Sequence, residues 1–301
     1  MRNRNLAAVA AVAAAVVWLY ADTLSSLVRQ WAGDDDYSHG FLVVPLAVYF
    51  LWRRRGAFGR TPSEPSMAGL WLIVVSLALF AAGRLAAELF LTRVSLVGVV
   101  AGAVWFLAGR EHVRIAAFPL AFLLLMVPLP AIIFNQITLP LQTLAARLGE
   151  ATIAAAGVPV LREGNVLQVP GRTLEVAEAC SGIRSLMSLV TIAIVLGYFA
   201  GPSAGAPAPS GRRSGDRRLT QRIALVAAAV PIAVAANAAR VAGTGLACYW
   251  LTPSAADGFF HTFSGWLMFA VAVGALVVAQ QTIAAVAARP WRAVRARQVP
   301  A

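Results

Sequence analysis

"AGLWLIVVSLALFAAG" occupies residues 68–83 and "VSLVGVVAGAVWFLAG" residues 94–109. Neither stretch carries a charge. Working outward, further apolar runs reach or approach the roughly 20 residues that a helix needs to cross a bilayer. The chain is 59% hydrophobic with a mean hydropathy of +0.74, whereas a soluble domain sits nearer about 45–50% apolar. This patterning predicts an all-α polytopic membrane protein. Its folding problem is helix packing in lipid rather than burial of one aqueous core.

Eight candidate spans follow, at about 5–21, 39–52, 68–83, 94–109, 114–130, 183–200, 222–240 and 261–286. The N-terminal "MRNRNLAAVAAVAAAVVWLY" has the make-up of a signal peptide. However, the small-x-small cleavage pattern is poor around Leu19, Tyr20 and Ala21, and more spans follow. It reads as an uncleaved first span. We take residues 1–301 as a single membrane-embedded domain.

The net charge is +12, and every basic residue is arginine. The arginines cluster between apolar runs, which fits membrane topology better than nucleic acid. With the N-terminus inside, about 17 of the 25 fall on inner segments. They include Arg53, Arg54, Arg55, Arg60, Arg110 and Arg114, and the group from Arg212 to Arg222. The positive-inside rule then puts both termini in the cytoplasm of a cytoplasmic (inner) membrane protein. The Gly/Pro/Ser-rich basic segment 201–221 reads as a flexible cytoplasmic loop.

The outer side receives an acidic segment, "GDDDYSHG", and a long insertion, 131–182. Within the insertion, Ile133, Ile137, Leu141, Leu144 and Leu148 recur at helical spacing, with Gln136, Gln142 and Arg147 elsewhere. That predicts an amphipathic helix at the membrane surface. "PVLREGNVLQVPGRTLEV" then shows short β-type runs broken by "EGN" and "PG", the pattern of a hairpin or three-strand meander.

The meander delivers the chain to "EACSGIRSL" (178–186). A lone cysteine is commonly a small apolar filler. Here Cys180 lies at the start of an apolar helix, where the dipole favours thiolate, and Arg184 is one turn on. Gly182 permits close approach of another chain. Arg184 and Arg240 both run against the charge asymmetry, at outer ends of spans; the alternative is an interfacial arginine snorkelling to headgroups. Asn237 and Arg240 share a helix face in "NAAR". His261, in "HTFSGW", falls at the same depth. Nucleophile, oxyanion clamp and acid or base thus meet at one face. His112 sits in an inner basic cluster. Asp34, Asp35, Asp36 and His39 raise a metal site, against which stands a plain acidic loop. No cofactor or metal is expected.

"EACSGIRSL", "NAARV" and "HTFSGW", together with "DYSHGFLVVP" and "GVPVLREGNVLQVP", resemble the exosortase/archaeosortase family from about Asp36 to Trp266. The resemblance implies a cysteine peptidase or transpeptidase that cleaves C-terminal sorting signals of secreted proteins. These signals combine a Pro-Glu-Pro-type motif, a transmembrane helix and a basic end. It implies a catalytic trio of Cys180, Arg240 and His261. Arg184, Asn237, Glu178, Ser181 and Gly182 would support the site. The implied partners are membrane-anchored substrates, the lipid bilayer and an unidentified amine acceptor, with no nucleic acid. Two other readings stay open. One is a transporter or channel with an anion site at Arg184 and Arg240. The other is a structural membrane protein with a Cys180–Cys248 disulfide.

Overall fold

Lipid offers no water to satisfy exposed amides, so an apolar run must pair its backbone groups within itself, as a helix. The computed structural model describes residues 2–175, 182–200, 212–251 and 258–296. It forms two compact units, Met1–Ala131 and Ile132–Ala301. The first contains α1 (Arg2–Leu19), α2 (Ala21–Gly33), α3 (Gly40–Arg53), α4 (Arg55–Arg60), α5 (Met67–Leu85), α6 (Leu89–Ala108) and α7 (Arg110–Phe122). The second contains α8 (Ala131–Ala155), strands β1 (Leu161–Glu163), β2 (Val166–Val169) and β3 (Arg172–Glu175), then α9 (Gly182–Phe199), α10 (Arg212–Trp250) and α11 (Gly258–Ala296).

In the first unit α5 packs along α6. The residues α5 buries are Gly69, Ser76 and Gly83, spaced by seven, while Trp71 and Val75 are exposed. In water this distribution would be inverted. In lipid it is expected: apolar side chains face the acyl chains, and small residues let two helices approach. A Cβ at Gly69 would overlap the Phe106 backbone. Tyr20, fully buried at the break between α1 and α2, hydrogen-bonds the Ser95 hydroxyl of α6 at 2.9 Å.

Among the described residues, four helices are long and apolar enough to cross a membrane: Met67–Leu85, Leu89–Ala108, Arg218–Trp250 and Phe263–Ala287. Two bent pairs, Val9–Leu19 with Ala21–Gly33 and Arg110–Met126 with Ala131–Ala155, bring the count to at most six if each pair is one span. The polytopic helical fold with a small β element is as expected, but the count of about eight spans is not confirmed. The reason is length. At a rise of about 1.5 Å per residue, the 14 residues of α3 span about 21 Å of an about 30 Å core. The apolar part of α9, Arg184–Phe199, is also short. Residues 212–221, expected in a loop, belong to α10.

A long helix and a three-strand meander occupy residues 131–175, although Gln142, read as part of the polar face, is buried. On α8, Ile133, Ile137, Leu144 and Leu148 form an exposed apolar face, whereas Thr138, Gln142, Ala145, Ala146, Gly149 and Ile153 are buried. The strands form an antiparallel meander, β1-β2-β3, with Val166 opposite both Glu163 and Glu175. Its turns use Gly164 (φ 66°) and Gly171 (φ 82°), a region open to glycine at little cost. Leu167, Val169 and Leu174 pack with Ala146 and Ile153 of α8 and with Val241, Ala242 and Cys248 of α10. Further along α10, Leu225 and Ala229 join Leu189 and Ala193 of α9 and Ala272 and Leu276 of α11.

Gly69→Ala is expected to lower the thermal midpoint of the detergent-solubilised protein, at a cost of about 1–3 kcal/mol for overpacking. Gly59→Ala, where a Cβ meets nothing within 4 Å, should leave the midpoint unchanged or raise it. Thermal unfolding of both variants against wild type checks the seam.

Candidate active site

The residues singled out in sequence separate between the two units. Asp34, Asp35, Asp36 and His39 belong to the first, where they build an anchoring turn. Asp34 caps the 3-10 turn Asp35–Tyr37, accepting from the Asp36 amide at 3.0 Å. His39 is buried, with Nε2 on the Leu125 carbonyl at 3.1 Å, and the Trp31 indole donates to the Met126 carbonyl at 3.0 Å. Burial pushes the Tyr37 hydroxyl up to about 12, helped by the charges of Asp34 and Asp36 and opposed by the Leu129 amide and Arg93. Tyr37 therefore stays neutral at any physiological pH. Among the described residues, no three His, Cys, Asp or Glu side chains converge as a metal site would require.

Arg93 is a residue that sequence reasoning missed. It lies one turn into α6, is 3% exposed, and reaches the Ser26 hydroxyl at 3.5 Å. Its Nε has no hydrogen-bond partner. The available signal was a lone charge inside the apolar "LTRVSL".

In the second unit, α9 starts at Gly182 and exposes Arg184 in its first turn. Glu178, Cys180 and Ser181 lie outside the described residues. Asn237 and Arg240 sit one turn apart on α10. Asn237 is buried, and with Thr138, Leu141 and Gln142 of α8 and Leu186 of α9 it lines a cavity of about 20 Å³. That is enough for a single water. The Gln142 Oε1 is buried there without a partner. Gln142 appeared in sequence only as part of a polar helix face, and only the packing of three helices gives it this position.

Arg240 reaches across to α11. Its Nε donates to the Ser264 hydroxyl at 3.4 Å. A Cβ at Gly265 would lie 3.2 Å from the Arg240 Cζ, so the missing side chain makes the seat for the guanidinium. Ser264 and Gly265 belong to the "HTFSGW" motif, and His261 lies one turn ahead of Ser264 on the same helix. The His261 side chain lies outside the described residues. Sequence reasoning gave a role in this motif to His261 alone. A guanidinium held flat against a helix presents a planar fork of donors of fixed direction, the property required of an oxyanion clamp.

Cys248 is buried in the core formed by α8, the sheet and α10.

Residues 31–206 and 214–278 match the family model for transmembrane exosortases. The chain belongs to the transmembrane exosortase family. The match takes in about four fifths of the sequence. No curated protein and no solved structure matches it. Exosortases are membrane sorting enzymes, generally cysteine transpeptidases. The multi-pass helical architecture agrees with that membership.

If the Gln142 amide serves the exosortase reaction rather than the fold, Gln142→Leu should separate the two. Removing a buried, unpartnered acceptor is expected to hold or raise the thermal midpoint, with a gain in stability of up to about 1–3 kcal/mol. Processing of a co-expressed sorting-signal substrate should fall. Unchanged processing would put Gln142 outside the site.

Proposed function

We propose that this exosortase is a thiol-dependent peptidase or transpeptidase that cleaves C-terminal, Pro-Glu-Pro-type sorting signals at the outer face of the cytoplasmic membrane. Cys180 is the nucleophile, Arg240 the oxyanion clamp and His261 the proton donor. The observation that carries the reading is the seating of Arg240 on Ser264 and Gly265, within the motif that begins at His261. The inner membrane and the cytoplasmic termini follow from the arginine asymmetry.

The substrate's transmembrane helix docks in the bilayer and brings its motif to the membrane boundary. The Cys180 thiolate, favoured by the helix N-terminus and by Arg184, adds to the scissile carbonyl. Arg240 holds the developing oxyanion, a donor worth about 2.7–4 kcal/mol where comparable donors have been removed. The tetrahedral adduct collapses with C–N cleavage. His261 gives its proton to the departing amine, which leaves with the transmembrane helix. The remaining thioester passes its acyl group to an amine acceptor or to water, regenerating the thiol. Glu178, Ser181 and Gly182 support Cys180 in this reading, and Asn237 supports Arg240 one turn away on α10.

Two comparisons test this in a cleavage assay at matched protein levels. Cys180→Ala abolishes processing, whereas Cys248→Ala, which trims one buried core side chain, retains it. Equal loss from both would point instead to a Cys180–Cys248 disulfide. Arg240→Lys also fails, because an ammonium is a point donor on a flexible stem and cannot replace the planar fork. Near-normal processing by Arg240→Lys would remove Arg240 from the oxyanion role.

A further inference from the structure

At the opposite end of α10 from Arg240, helices α9, α10 and α11 leave a half-open cleft of about 60 Å³. Its polar lining is Arg218, Gln221 and Arg222 of α10 and Gln280 of α11, with Gly197 of α9 at its wall. Arg218 is half-buried there. Arg222 is fixed: its Nε donates to the Gly197 carbonyl at 3.0 Å. A Cβ at Gly197 would lie 3.2 Å from the Arg222 Cγ, so the glycine lets the arginine stem rest against α9.

Neither arginine forms an ion pair with a carboxylate among the described residues. Arg218 and Arg222 are four residues apart, hence neighbours on one helix face, where like charges repel. Two amide side chains face the same space. Among the described residues, the cleft thus gathers two guanidinium groups without a carboxylate partner and two neutral hydrogen-bonding groups, and no acidic side chain lines it.

Its depth is informative. Arg218 begins the apolar span Arg218–Trp250, Gly197 is near the end of the apolar Arg184–Phe199, and Gln280 is near the end of Phe263–Ala287. All three helices therefore reach the polar boundary of the bilayer at the cleft. A basic pocket between helices at that level is suited to a phosphate headgroup, and guanidinium groups match phosphate oxygens in geometry.

We propose that this cleft is a binding site for a phosphate-bearing anion, bridged by Arg218 and Arg222 and hydrogen-bonded by Gln221 and Gln280. An anionic phospholipid headgroup and free phosphate share this chemistry. In the orientation proposed above the cleft faces the cytoplasmic leaflet. Occupancy would tie α9, which carries Arg184, to α10 and α11 at the end away from the candidate active site.

The test uses the full-length protein in zwitterionic detergent. It is incubated with phosphatidylglycerol, with phosphatidylcholine or with inorganic phosphate, and bound species are counted by native mass spectrometry beside thermal midpoints. Phosphatidylglycerol should be retained over phosphatidylcholine. Arg218→Gln, which removes no side-chain hydrogen bond among the described residues, should cut retention about fivefold, the effect of about 1 kcal/mol for one arginine near a membrane surface. Arg60→Gln, an exposed arginine in the other unit, should not. Inorganic phosphate that raises the midpoint of wild type but not of Arg218→Gln, with no preferential lipid retention, keeps the anion site and makes free phosphate its source. Equal phosphatidylglycerol retention by Arg218→Gln and Arg60→Gln, or equal retention of the two lipids together with no phosphate effect, overturns the proposal.

Discussion

The burial of one long helix, α10, against four different neighbours is the constraint on which the second unit depends. Near its C-terminal end, Val241, Ala242 and Cys248 close a core with α8 and the small sheet. Midway, Val234 and Ala238 pack on Ala145 of α8. Nearer its start, Leu225 and Ala229 pack between α9 and α11. Most of these residues are alanine or valine, so backbones approach closely, as they must where the solvent is lipid and apolar burial alone brings helices little. A helix clamped along its length holds its polar residues at fixed height and direction. Asn237 and Arg240 gain their positions this way, and so do Arg218 and Arg222 at the other end.

Held there, an arginine inside the apolar span Arg218–Trp250 needs an arrangement that keeps it ordered. Arg240 has one in Ser264 and Gly265, a hydroxyl acceptor beside a missing side chain. The family membership makes a sorting enzyme of the chain, and the seat suggests how one residue serves that chemistry. The "DYSHG" turn of the first unit plays a different part. Its aspartate cap and His39 contact tie α2 and α3 to the segment after α7, a structural task met by residues that resemble metal ligands in sequence.

Local features were legible in the sequence. The α8 face follows from apolar spacing, and the meander from two turn glycines between β-type runs. Membrane class follows from composition. The number of spans was less legible, because apolar content does not reveal where a helix breaks, and the joint at Tyr20 is fixed by a hydroxyl 75 residues away. Residues 212–221 looked like a loop by charge and composition, yet they extend α10. The partners of Arg240 and the placement of Gln142 and Arg93 depend on contacts between separate helices, which spacing along one helix does not encode. Cys180 is singled out by its helix-start position and motif, and it lies outside the described residues.

The central claim is that Cys180 carries the acyl group of a severed sorting signal. The most direct measurement is capture of that intermediate. His261→Ala enzyme is incubated with a membrane-embedded sorting-signal substrate, quenched in acid and digested for mass spectrometry, with and without hydroxylamine. The account predicts a substrate fragment attached to the Cys180 peptide through a hydroxylamine-labile bond, and no such adduct in the Cys180→Ala, His261→Ala double variant. Cleavage that proceeds without an adduct at Cys180, or that persists when Cys180 is replaced, would contradict it.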